Sequence, residues 1–148
     1  MQYKTKVILY GPKEEEPKSW QYWDWGTAHN QPVGGWYDSL SPEAKDKLDT
    51  LLKNNAKTEI PIHWLGFKYM QGALKTQKIW QLSFHDAAGQ VRVLGIFGKR
   101  KQAILLIGCT HKGSVYTPQN ALETAIGRAK DFRNGMVKLY ERPIRTDL

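Results

Sequence analysis

The chain has 148 residues, enough to bury a core without covalent staples, and its one cysteine, Cys109, excludes an intramolecular disulfide. With no charged-then-apolar leader and no apolar run of membrane-spanning length, the expectation is a soluble, cytoplasmic protein with no membrane partner. The net charge is +8, and residues 78–133 carry nine basic side chains against three acidic ones, a one-sided field that points to a polyanion or an acidic protein partner.

The first predicted element is a β-rich strand, Tyr3–Tyr10, closed by Gly11-Pro12. From Lys13 to Val33 neither a helical nor an alternating period is visible, so this stretch reads as a long connection. Its Trp20, Tyr22, Trp23 and Trp25 are too much apolar surface to leave in water. They must pack on the body or form a partner-binding patch, for which Trp20, Trp23 and Trp25 are the candidates.

"LSPEAKDKLDTLLKNNA" carries the clearest helix signal, with Ser41 as N-cap, Pro42 in the first turn and Asn54-Asn55 at the end. Leu40, Ala44, Leu48, Leu51 and Leu52 form its inward stripe, which leaves Lys45, Asp46, Lys47, Asp49 and Lys53 to solvent. Ile60 to Leu74 is apolar without a decisive period. The runs "IWQLSFH", "VRVLGIF" and "QAILLIGC" follow, separated by glycine-containing segments of hairpin length, and predict an antiparallel meander. Thr117-Pro118 is expected to open a last helix with Ala121, Leu122, Ala125, Ile126, Ala129 and Phe132 on one face. The pattern describes an α+β fold, with helices on a small antiparallel sheet of three meander strands plus the N-terminal strand. One domain over residues 1–148 is expected, with the Trp-rich stretch at about 13–33 as an insertion.

Within "VRVLGIF", alternation puts Arg92 on the same face as Leu94 and Ile96, so a cation rises from an otherwise apolar strand face. It requires an anion there, either a structural carboxylate or a phosphate, which guanidinium geometry suits. Lys99, Arg100 and Lys101 crowd one hairpin turn, and with Lys78 and Arg128 they are the candidates for contact with an RNA or DNA backbone. Cys109, at the end of an apolar run, reads as a small core residue rather than a nucleophile. His29, His63, His85 and His111 show no paired metal-ligand spacing, so no metal and no cofactor are expected. That leaves His111, Lys112 and Tyr116, just past the last meander strand, as groups able to move a proton or hold a charge.

Taken together, "GGWYDSLSPEAKDKLDTLLK", "IWQLSF", "VRVLGIF", "AILLIGCTHKGSVYTP" and "ALETAIGRAKDF" resemble, in order, the RelE/ParE toxin superfamily, nearest its HigB-type, phage-derived branch. The likeness covers about Gly35 to Phe132. It implies a toxin neutralised by a cognate antitoxin, a small helix-turn-helix protein. For the RelE and HigB branches it also implies a ribosome-dependent mRNA endoribonuclease, an mRNA interferase that inhibits translation. Arg92 falls on the arginine of the family's Tyr-Arg-Val strand, a phosphate-binding catalytic position, and Val115-Tyr116 matches the closing Val-Tyr. Thr110 stands where RelE-type members carry an arginine, with His111 and Lys112 as nearest replacements, and Gln81 and Ser83 replace an acidic and basic pair. The implied catalytic set is therefore Arg92, His111, Lys112 and Tyr116. The alternatives are a non-catalytic ParE-like topoisomerase inhibitor and a phage-encoded binding protein.

Overall fold

Alternating apolar residues in the middle of the chain build the centre of a sheet that has helices on both faces. The structure, a computed structural model, describes residues 17–87 and 89–148; the strand expected at Tyr3–Tyr10 lies outside them. In chain order the elements are β1 (Gln21–Gly26), α1 (Pro32–Asp38), α2 (Pro42–Ala56), β2 (Phe67–Tyr69), α3 (Ala73–Thr76), β3 (Trp80–Asp86), β4 (Gly89–Phe97), β5 (Gln102–Lys112), β6 (Val115–Thr117), α4 (Ala121–Arg133) and β7 (Lys138–Arg142).

The predicted meander forms: β3, β4 and β5 pair antiparallel in sequence. The short β2 adds to β3, and β6 folds back on β5. The other side of the sheet departs from expectation. Its order is β2-β3-β4-β5-β1-β7, with β1 parallel to β5 and β7 antiparallel to β1. The sheet of the α+β fold is thus mixed, and the Trp-rich stretch contains one of its inner strands. "QYWDWG" shows no apolar–polar alternation because both of its faces are covered, as in any strand buried on two sides. Tyr22 packs with the α1 and α2 side, and Trp23 and Trp25 pack with the α4 side. Asp24 is buried too, and Arg142 of β7 neutralises it in a bidentate pair, Nε at 2.9 Å and Nη2 at 2.7 Å.

Helix α2 begins as its sequence predicts, with the Ser41 hydroxyl accepting from the Ala44 N–H at 3.1 Å. Ala44, Leu48 and Leu52 are buried. Asp49, expected in solvent, is buried as well. It takes a hydrogen bond from the Tyr37 hydroxyl and an ion pair from Arg145 at 3.0 Å, partners distant in sequence. On the opposite face, α4 starts at Ala121 rather than at Pro118, because Thr117 still belongs to β6. Ala121, Ala125 and Ala129 are fully buried, and their small side chains let the helix lie close to the sheet. Gly108 of β5 serves the other face: the Trp36 indole occupies the space a Cβ would need, at 2.1 Å.

Candidate active site

Strand register assembles a polar row on the α4 face of the sheet. His85 of β3 pairs with Gln90 of β4, Gln90 pairs with His111 of β5, and His111 pairs with Tyr116 of β6. Directly opposed residues of antiparallel strands point to the same side, so all four share one face. The next row inward is Ser83, Arg92 and Cys109.

Arg92 is half-buried. Its Nη1 donates to the Gln81 amide oxygen at 2.7 Å and its Nη2 to the Gln90 amide oxygen, while Nε is buried without a partner. Of the five guanidinium N–H groups, two are thus fixed by neutral amides. The carboxylate that a structural ion pair would need is missing: among the described residues none is bonded to Arg92. Arg142 and Arg145 are different, each being paired with carboxylates, Asp24 for the first and Asp46, Asp49 and Asp147 for the second. Amides orient Arg92 without cancelling its charge, which leaves it to attract an anion.

His111 and Tyr116 lie ring on ring, with centroids 4.2 Å apart and planes 8° from parallel. Both are expected from the sequence just past the last meander strand, but they lie within the sheet: His111 and Lys112 are the last residues of β5, and Tyr116 is the middle of β6. Lys112 is a correction to the predicted set. Alternation turns it to the opposite face, where it pairs with Val115. Thr110, in the position of the family arginine, is also on that opposite face, paired with Val91 and Thr117. Cys109 is fully buried, and burial pushes its thiol up to about 11 against a smaller opposing pull from the Arg92 charge. It is a packing residue at physiological pH.

The predicted RNA-binding cations do not gather here. Lys99, Arg100 and Lys101 form the β4–β5 turn beyond Phe97, the end of β4, five strand residues from Arg92, which at about 3.3 Å per residue is roughly 17 Å. Lys101 Nζ reaches the Lys18 carbonyl at 3.4 Å. Lys78 lies at that same end. It lines a cavity of about 480 Å³ with Lys75, Arg133 and the apolar Met70, Ile79 and Phe97. Arg128 is built into the core surface instead: it donates to the Leu106 carbonyl at 2.8 Å and stacks on Trp25 at 4.6 Å. Leu106 is the extra residue of a β-bulge, since Leu94 pairs with Ile107 and Gly95 with Leu105. Arg128 thereby satisfies a carbonyl that the ladder leaves over.

The expected partner patch is likewise absorbed into the body. Trp25 is buried, Trp23 is half-buried with its indole N–H enclosed, and Trp20 packs on Trp64 and Phe97 while donating to the Glu59 carbonyl at 3.0 Å. Trp20 and Trp23 keep part of their surface exposed, and Trp25 is buried. The sequence shows the polar alternation of β3 but gives no site role to Gln81, His85 or Gln90. Gln81, Ser83 and His85 alternate with Trp80, Leu82 and Phe84, so the period was there to read; their pairing with Arg92 and Gln90 came only with the register. Among the described residues no three His, Cys, Asp or Glu side chains gather to hold a metal ion.

The fold and this face define a small α+β protein that presents an oriented, unneutralised guanidinium beside an imidazole–phenol stack. The chain belongs to the family described as phage derived protein Gp49-like (DUF891), whose model matches residues 35–130. That family lies in the toxin–antitoxin context of RelE- and HigB-like proteins. The match includes the whole polar row and leaves β1 and β7, which extend the sheet beyond β5, outside it. No curated protein and no solved structure matches the chain. No helix among the described residues is long and apolar enough to cross a membrane.

Proposed function

We propose that the protein is the toxin of a toxin–antitoxin pair and cleaves mRNA on the ribosome, held inactive by a cognate antitoxin. The observation that carries this reading is Arg92, a half-buried cation held by Gln81 and Gln90 rather than by a carboxylate, on the same face as His111 and Tyr116. A phosphodiester supplies the anion such a guanidinium lacks. In the reaction the ribose 2′-OH attacks the adjacent phosphorus, and Arg92 stabilises the charge that grows on the phosphoryl oxygens. His111 transfers a proton. Tyr116 is covered on one ring face by His111 and can stack a base on the other.

Induced expression should arrest growth, and primer extension on mRNA should show cuts phased with codons. Arg92→Ala should abolish both while the melting curve stays cooperative. An arrest that persists in Arg92→Ala, or proceeds with intact mRNA, refutes the ribonuclease reading; the second outcome would favour a topoisomerase inhibitor.

A further inference from the structure

We propose that His85 is a second proton-transfer residue of this face, so that two imidazoles, His85 and His111, flank the RNA phosphate bound by Arg92. This rests on the ribonuclease reading above. Gln90 is the register partner of both histidines. With neighbouring strands about 4.8 Å apart, the two histidine backbones stand roughly 10 Å from each other on either side of Gln90, so a phosphate seated over the Gln90 amide has one imidazole on each side. Arg92 sits one row inward. His85 is exposed and β3 is paired to β2 only through Trp80, Gln81 and Leu82, so its imidazole lies on an accessible stretch of strand.

The hydrogen-bond pattern also prepares His85. Arg92 donates to the Gln90 amide oxygen, which fixes the orientation of that amide and turns its NH₂ toward His85 Nε2, 3.5 Å away. An NH₂ donor there leaves Nε2 as the acceptor and puts the imidazole proton on Nδ1. Arg92 and His85 are thus coupled through one side chain. In the step itself one imidazole takes the proton of the 2′-OH as the 2′-O–P bond forms. The other gives a proton to O5′ as the P–O5′ bond breaks, leaving a 2′,3′-cyclic phosphate and a 5′-hydroxyl. Solvent then returns the two imidazoles to their starting protonation states.

The test is single-turnover cleavage of mRNA on programmed ribosomes by the parent, His85→Ala, His85→Gln and Arg92→Ala, as a function of pH. The charged or titratable groups around His85 are Lys47, whose Nζ donates to its carbonyl, Asp86 next in the chain, Arg92 and His111. His85→Ala should cut about 10²–10³-fold more slowly, lose one limb of a bell-shaped profile, and melt at the parent's temperature. His85→Gln, which keeps a polar partner for Gln90, should be as slow. If His85→Gln recovers the parent rate, or His85→Ala keeps both limbs, His85 only positions Gln90 and the proposal falls while the ribonuclease reading stands. If the parent makes no cut, or Arg92→Ala cuts like the parent, both fall.

Discussion

Both ends of the β4–β5 hairpin carry cations in the sequence and have opposite character in the fold. At the turn, Lys99 and Arg100 are exposed, and Lys75, Lys78 and Arg133 edge an apolar cavity close by. At the open end a single guanidinium is half-buried, aimed by two glutamines and set beside two histidines and a tyrosine. Exposed cations contribute long-range attraction that salt screens, and they adapt to many partners. An oriented, partly desolvated cation is pre-organised for one position of a developing charge. On the proposed ribonuclease reading, charge density would mark where RNA is attracted and the neutral-amide network where it is cut.

The strongest way to break this contrast is Arg92→Ala, which should lower cleavage by about 10²–10³-fold. It also leaves the buried Gln81 amide without its donor, at about 1–3 kcal/mol of stability, so a melting curve should accompany the kinetics. Arg142→Ala should show the reverse. Stranding buried Asp24 costs about 3–5 kcal/mol, read as a fall in the denaturant midpoint, with cleavage per folded molecule unchanged. Replacing Lys99, Arg100 and Lys101 together by Ala should weaken RNA binding at low salt and flatten the log K against log salt plot by about 2 (~0.7 for each of the cations). The single-turnover rate at saturation should hold. The smallest effect belongs to Cys109. Its thiol, pushed up to about 11 by burial, should resist iodoacetamide at pH 8 in the folded protein and react on denaturation. The sign of the linked stability follows: this contribution is fully present below the unfolded thiol's value of about 8.5 and is lost as the pH rises through about 11.

Local signals read well from sequence. Helix α2 was legible from its cap and stripe, and the meander from its alternation and short turns, because these depend on residues near each other in the chain. Where both faces of an element are covered, the period vanishes, and "QYWDWG" hid an inner strand for that reason. Strand β7 was equally unreadable, since "KLYER" becomes a strand only by pairing with β1 and neutralising Asp24. Asp49 looked like one more solvated charge on α2 until Arg145 and Tyr37 arrived from elsewhere.

The candidate site divides along the same line. Sequence alone determined that Arg92 stands on a strand face among apolar residues, that Cys109 packs, and that His111 and Tyr116 lie close together in the chain. Only the tertiary structure decided that Lys112 faces away, that Arg128 caps a bulge, and that His85 and Gln90 stand in line with His111. Side-chain alternation is a property of one strand, whereas a row across four strands exists only once their register is set, and register is fixed by the packing of the whole sheet.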